Sequence, residues 1–221
     1  MRYLEVSVLH APEHRHLMHQ FVVEHEAYEI TRLLYRFQYS DTEHAALFHV
    51  EGPVEPYEQA LSEQSSIQEF EVDSCQDTSF YLYVREAMGP DSREFADAFA
   101  QPGLIVLTPI EYRSDGTVRL TAVGPAKTVQ AAVNAVPETM GVDVCSVGEF
   151  ALGRLDPRLE LTQRQVDAVS EAVACGYYSE PRSATLEDVA AGLDCSTGTA
   201  GELLRRAERT VMTHLVERGP F

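Results

Sequence analysis

The chain has 221 residues and carries 35 acidic side chains against 17 basic ones, a formal net charge of −18 at pH 7. No run of 18 or more apolar residues offers a membrane span, and no basic tract marks a nucleic-acid partner by composition alone. Cys75, Cys145, Cys175 and Cys195 lie too far apart for a paired-cysteine metal site, and their spacing suggests no disulfide framework.

In chain order, two-residue and 3.6-residue hydrophobic periods predict a strand over 2–10 and a helix over 13–25. Strands over 28–38 and 44–52, a helix over 53–64 and a strand over 67–75 follow. The same order then recurs: strand 79–87, helix 92–100, strands 103–113 and 117–124, helix 125–136, strand 142–147. Each series reads β-α-β-β-α-β, the ferredoxin-like plan of a four-stranded antiparallel sheet with two helices on one face. Local echoes support a duplication. HVEGPVEPYEQAL parallels TAVGPAKTVQAAV, with Gly52-Pro53 and Gly124-Pro125 each closing a strand and opening a helix. Val72-Asp73-Ser74-Cys75 likewise parallels Val142-Asp143-Val144-Cys145. Cys75 and Cys145 are therefore expected as buried small residues on central strands, with a redox pair as the alternative.

Two such copies can pack side by side in the manner of small-molecule-sensing ACT-type domains, an analogy of architecture only. A cleft between repeats or between subunits is the default place for an effector. His10, His14, His16, His19 and His25 fall within one short stretch, with His44 and His49 on the next hairpin. Imidazoles at this density suit a metal or a titration near neutral pH. Without standard ligand spacing or a cysteine pair they read as a polar, solvated helix face, so neither metal nor cofactor is assigned. No nucleophile elbow, phosphate loop, dinucleotide fingerprint or His-Glu-x-x-His motif is present, and no enzyme is expected.

The last stretch, 161–221, predicts three helices with a helix-turn-helix in the middle. Leu186, Val189, Ala190 and Leu193 form one apolar stripe of a short helix. Asp194 and Cys195 break it, and Ser196 or Thr197 is a natural N-cap for a longer helix. Leu203, Leu204, Ala207, Val211 and Leu215 should pack inward from that helix, against a stripe of Val166, Val169 and Val173 on the first. Gly198 and Gly201 lower its intrinsic helicity by about 1 kcal/mol each, so disorder before DNA arrives is expected.

The block LTQRQ, the GYYSEPR that follows the first helix and the LRRAE of the last together resemble the bacterio-opsin-activator type of helix-turn-helix, found in haloarchaeal transcription regulators. The resemblance implies a C-terminal DNA-binding domain behind an N-terminal sensory or regulatory region. Asp194 stands where such turns usually have Gly, although Asp tolerates the left-handed conformation better than most residues.

Helix-turn-helix docking puts the start of the last helix in the major groove. Thr197, Thr199 and Glu202 would then face base edges, and Arg206 would be bidentate to guanine. Arg205 and Arg209 would reach phosphates, and the helix start at Ser196 or Thr197 can meet another. The competing reading of Arg206 is an i, i+4 pair with Glu202 on a solvated face.

The expected fold class is thus α+β: a tandem ferredoxin-like (βαββαβ)2 sensory region followed by an all-α helix-turn-helix domain. Its parts are 1–77, 78–150, a linker over 151–160, and 161–221. The expected function is a cytoplasmic, salt-adapted, sequence-specific transcription regulator. Double-stranded promoter DNA is its expected partner, with a homodimer and a small-molecule effector. A non-catalytic adaptor using the N-terminal sheets to bind a protein, or a histidine-based metal sensor, remain alternatives. Acidity suits concentrated salt, because at 1 M the screening length is only about 3 Å and repulsion between carboxylates costs little.

Overall fold

The computed structural model describes residues 1–40, 42–75, 78–87, 89, 99, 102–136, 140–150 and 156–218. They form two compact units, Met1–Phe150 and Ala151–Phe221.

In the first unit the strands are β1 (Arg2–His10), β2 (Ile30–Gln38), β3 (Glu43–Glu51), β4 (Ile67–Ser74), β5 (Ser79–Ala87), β6 (Ile105–Arg113), β7 (Thr117–Gly124) and β8 (Met140–Glu149). The helices are α1 (Leu17–Glu24), α2 (Val54–Ser62) and α3 (Ala126–Ala135). The helix expected over 92–100 falls outside the described residues except for Phe99, which is buried. The helix expected over 13–25 starts later, because the His16 ring accepts a hydrogen bond from the Met18 N–H (3.3 Å) and caps α1, while Pro12–His14 form a separate 3-10 turn.

All eight strands belong to one antiparallel sheet, in the order β4-β5-β3-β2-β6-β7-β1-β8. The two series of elements read from the sequence therefore share one sheet, a point the sequence left open. β1 lies between β7 and β8, among strands of the second copy, and β5 lies between β3 and β4, among strands of the first. The first strand of each copy is exchanged. The halves meet where β2 pairs with β6, from Ile30 opposite Arg113 to Leu33 opposite Ile110. Alternation alone could not anticipate the exchange: Leu4, Val6 and Val8 on β1 and Phe80, Leu82 and Val84 on β5 present the same two-residue apolar period.

Each exchanged strand completes a core that the other copy began. Phe80, Leu82 and Val84 pack with Leu33, Val50, Tyr57 and Leu61, beneath α1 and α2. Leu4, Val6 and Val8 pack with Leu120, Ala122, Val129 and Ala132, beneath α3. Ile110 on β6 touches both clusters, so both occupy the same face of the sheet. The opposite face is open, with Tyr35, Leu47 and Tyr83 as exposed cross-strand neighbours.

The strand order also overturns the expectation that two cysteines sit on central strands. Cys75 directly follows β4 and Cys145 sits in β8, the two edge strands, and neither is buried. Seven strand spacings of about 4.8 Å separate those edges, which rules out the redox pair.

In the second unit a 3-10 turn (Pro157–Glu160) precedes α4 (Gln163–Cys175), α5 (Leu186–Gly192) and α6 (Thr197–Arg218). The expected linker over 151–160 thus includes an ordered turn, capped by the Asp156 carboxylate accepting from the Arg158 N–H. Residues 151–155 lie outside the described residues.

Both Gly-Pro pairs mark close approaches, with Pro53 and Pro125 as the N-caps of α2 and α3. Gly52 has φ +148°, and a Cβ there would come within 2.2 Å of the Tyr28 ring. Tyr28 is fully buried and donates its hydroxyl proton to the Pro53 carbonyl (2.7 Å). Gly52→Ala should destabilise the protein by about 2–3 kcal/mol through overpacking at a strained backbone. Gly89→Ala, at a site open to solvent, should change it little; denaturant titration of both variants measures the difference.

Candidate functional site

The helix-turn-helix is built on two capping boxes. Thr162 and Gln165 cap α4 reciprocally, and Thr185 and Asp188 do the same for α5. α4 closes with Gly176 in the left-handed region (φ 87°), where the Tyr177 N–H reaches the Ala172 carbonyl and the Gly176 N–H that of Val173. Asp194, at φ 48°, is the described non-glycine residue that takes the left-handed conformation, which turns the chain from α5 into α6.

The three helices meet through small side chains: Ala168, Ala172, Ala190, Ala200 and Ala207 are all buried, with Val189 and Leu204 between them. Of the valine stripe expected on the first helix, Val169 packs against this core, but Val173 does not. Val173 is 61% exposed because α4 turns its Ala168/Ala172 face inward, one residue and about 100° away. Leu215, at 44% exposure, lies past the last buried position of α6, Ala207. Despite Gly198 and Gly201, α6 runs unbroken from Thr197. A Cβ at Gly201 would sit 3.2 Å from Leu186, so the glycine admits close packing of α5.

Ser196 caps α6, its hydroxyl oxygen accepting from the Thr199 N–H (3.2 Å) and lying 2.8 Å from the Thr199 hydroxyl. Thr199, Glu202, Arg206 and Arg209 fall within about 80° of one another on the helical wheel, opposite the buried face. Thr197, Arg205, Arg206 and Arg209 are exposed, while Thr199 and Glu202 are half-buried. Glu202 accepts from the Arg206 Nε (2.7 Å) and from the Arg205 Nη2 (3.2 Å), and those bonds hold its carboxyl below the usual range. The i, i+4 pair and the arginine face are thus both present. Residues 151–221 carry eight arginines against eleven carboxylate residues, a net −3, whereas residues 1–150 carry −15.

A second candidate site lies in the first unit, where a cavity of about 520 Å³ opens on the helix-covered face of the sheet. His10, His14, His16, His19 and His44 line it, which corrects the reading of these histidines as a solvated face. His10, His19 and His44 are buried, and His25 alone of the first stretch is exposed without lining the cavity. No group of three or more His, Cys, Asp or Glu among the described residues is arranged to hold a metal ion.

Glu86 was missed by sequence reasoning, although the signal was there: it takes the inward position of β5 after Phe80, Leu82 and Val84. Its carboxylate lies 3.2 Å from His16 Nε2 and 3.1 Å from His44 Nε2. Burial pushes its pKa up, but hydrogen bonds from His16 and His44 outweigh that and bring it down to about 2. With Nδ1 accepting from the Met18 N–H, His16 meets Glu86 through Nε2. His19 donates from Nε2 to the Arg113 carbonyl (3.0 Å), and burial lowers its pKa to about 4. The buried Tyr112 phenol is raised to about 12, chiefly by burial.

These shifts set an acid limit for the first unit. His19 resists protonation in the fold, so its contribution is complete above the unfolded value near 6.5 and is lost as pH falls from there toward 4. Glu86 adds a second loss below about 4.5, as protons begin to bind the unfolded carboxyl. Over the His19 interval the loss is about 3 kcal/mol. Urea titration between pH 7 and 4.5 should show that decline, and His19→Gln should flatten it; an unchanged slope in the variant refutes the assignment.

Among the described residues no helix is long and apolar enough to cross a membrane. A family model described as HVO_0513_N, N-terminal, matches residues 16–150. A second, described as an HTH DNA binding domain (HTH_10), matches residues 161–213. No curated protein matches the chain. The chain belongs to the HVO_0513_N family and, behind that N-terminal domain, carries the bacterio-opsin-activator type of helix-turn-helix that makes it a DNA-binding transcription regulator.

Proposed function

We propose that the protein is a sequence-specific regulator whose N-terminal unit responds to a small molecule and thereby changes how its helix-turn-helix is presented to promoter DNA. The observation that carries this reading is the pairing of an arginine-bearing face on α6 with a lined cavity of about 520 Å³ in the other unit. That volume lies in the range of roughly 300–1,000 Å³ typical of small-molecule sites. Residues 1–77 and 78–150 read as two copies of one ferredoxin-like plan with their first strands exchanged, as the strand order supports.

On DNA, Thr197, Thr199 and Glu202 would read base edges, Arg206 would take a guanine, and Arg205 and Arg209 would hold phosphates. Ser196 presents the helix start. Because Glu202 holds Arg205 and Arg206 in the free protein, docking exchanges those ion pairs for contacts with DNA. A homodimer fits the reading, since one small domain buries little surface on DNA. A net charge of −18 fits a cell of high salt, where phosphate neutralisation contributes little and base contacts and shape carry recognition.

Sequencing of chromatin bound by the tagged protein in such a host tests this. Wild-type protein should give sharp promoter peaks, and Arg205→Ala/Arg206→Ala should abolish them. In vitro, Arg206→Ala alone should cost about 1–3 kcal/mol at the preferred site and little elsewhere. Diffuse wild-type binding, or unchanged specificity in the single variant, refutes the assignment.

A further inference from the structure

We propose that the cavity of the N-terminal unit takes an uncharged, largely apolar small molecule with one hydroxyl group, an alcohol or a phenol, whose hydroxyl bonds to Nδ1 of His44. The proposal deepens the effector reading above and rests on it for its place in regulation.

The charged groups of the lining are already engaged. Glu86 is the one carboxylate among the described residues there, and its two oxygens lie 3.2 Å from His16 Nε2 and 3.1 Å from His44 Nε2. His16 uses its other ring nitrogen on the Met18 N–H, and His19 uses Nε2 on the Arg113 carbonyl. His10, His14 and Arg36 likewise have interactions within the chain. A charged ligand would therefore find no uncommitted counter-ion among these groups, and burying an unpaired charge is costly. The rest of the wall is largely apolar, with Leu33, Phe48, Leu82, Val106 and Leu120 prominent.

His44 keeps one ring nitrogen unused. It stands on β3 directly opposite Glu86 on β5, so the sheet register itself delivers Nε2 to the carboxylate. The His44 side chain lines the cavity at 7% exposure, and its Nδ1 is buried without a hydrogen-bond partner. A buried polar atom left unpaired is costly, and a hydrogen bond from a ligand recovers that cost. A hydroxyl suits this atom in either state of the ring. It donates to Nδ1 of the neutral imidazole and accepts from the Nδ1–H of the imidazolium. A carboxylate or an ether can only accept, and an ammonium can only donate. Because β5 fixes the ring through Glu86, Nδ1 is in place before a ligand arrives.

Equilibrium dialysis of the full chain with matched pairs tests the assignment: 1-naphthol against 1-methylnaphthalene, and 1-octanol against 1-chlorooctane. At least one hydroxyl compound should bind about five- to a hundredfold more tightly than its hydroxyl-free partner, the span expected when a buried atom gains its hydrogen bond. His44→Gln keeps an N–H for Glu86 but lacks Nδ1, so it should erase the preference while sparing the hydroxyl-free probes. The wild-type comparison stands even if His44→Gln fails to fold. Three results overturn the proposal: no binding by either hydroxyl compound, equal binding within both pairs, or a preference that survives in folded His44→Gln. Tighter binding of 1-naphthoate or 1-naphthylmethylamine than of 1-naphthol overturns it as well. Affinity for the promoter DNA recovered from chromatin, measured in the same samples, separates the two readings. Hydroxyl-selective binding that leaves DNA affinity unchanged supports the cavity and refutes the sensor, whereas absent binding refutes the cavity whatever the DNA result.

Discussion

The exchange of β1 and β5 is the constraint from which the N-terminal unit follows. β1 supplies Leu4, Val6 and Val8 to the core under α3, and β5 supplies Phe80, Leu82 and Val84 to the core under α1 and α2. Each such side chain contributes about 1.5–3 kcal/mol on burial, so a copy without its neighbour's strand would expose a whole row of apolar groups. The N-terminal unit therefore folds as one eight-stranded body. Because both copies line the same face across the β2–β6 seam, a cavity can draw its walls from β2, β3 and β5 on one side and β6 and β7 on the other.

Charge is distributed with the same economy. Residues 1–150 carry a net −15, yet the cavity holds Glu86 alone of the carboxylates among its described lining. A buried carboxylate is tolerable only with partners, and His16 and His44 supply them from α1's N-cap and from β3. Among the described residues Glu86 is the one buried carboxylate. The second unit is nearer neutrality, with arginines on the outward face of α6, which lowers the repulsion a DNA backbone would meet there.

In the helix-turn-helix, close approach rather than bulk makes the core. Alanines at 168, 172, 190, 200 and 207, with Gly201 against Leu186, let the three helices pack closely around Val189 and Leu204. Capping boxes at Thr162 and Thr185, the Gly176 terminus and the Ser196 cap then fix where each helix starts or stops. In the free protein Glu202 fastens Arg205 and Arg206 to the helix surface, so that face is ordered before any contact is made.

Much of this architecture was legible in local pattern. Nearly every described strand and helix, the Ser196 cap and the left-handed Asp194 follow from period, turn chemistry and side-chain hydrogen bonding over a few residues. The family-specific blocks LTQRQ, GYYSEPR and LRRAE pointed to the DNA-binding domain. What local pattern could not decide is which strand pairs with which. β1 and β5 carry the same alternation, so either fits either half, and only the joint burial of both cores selects the exchanged arrangement. Cys75 and Cys145 lie at the sheet edges because β4 and β8 each pair on one side only, and β5 brings Glu86 beside His16 and His44. Periodicity specifies which face of an element is apolar; the partners that face meets, and hence the cavity, exist only once distant strands are assembled.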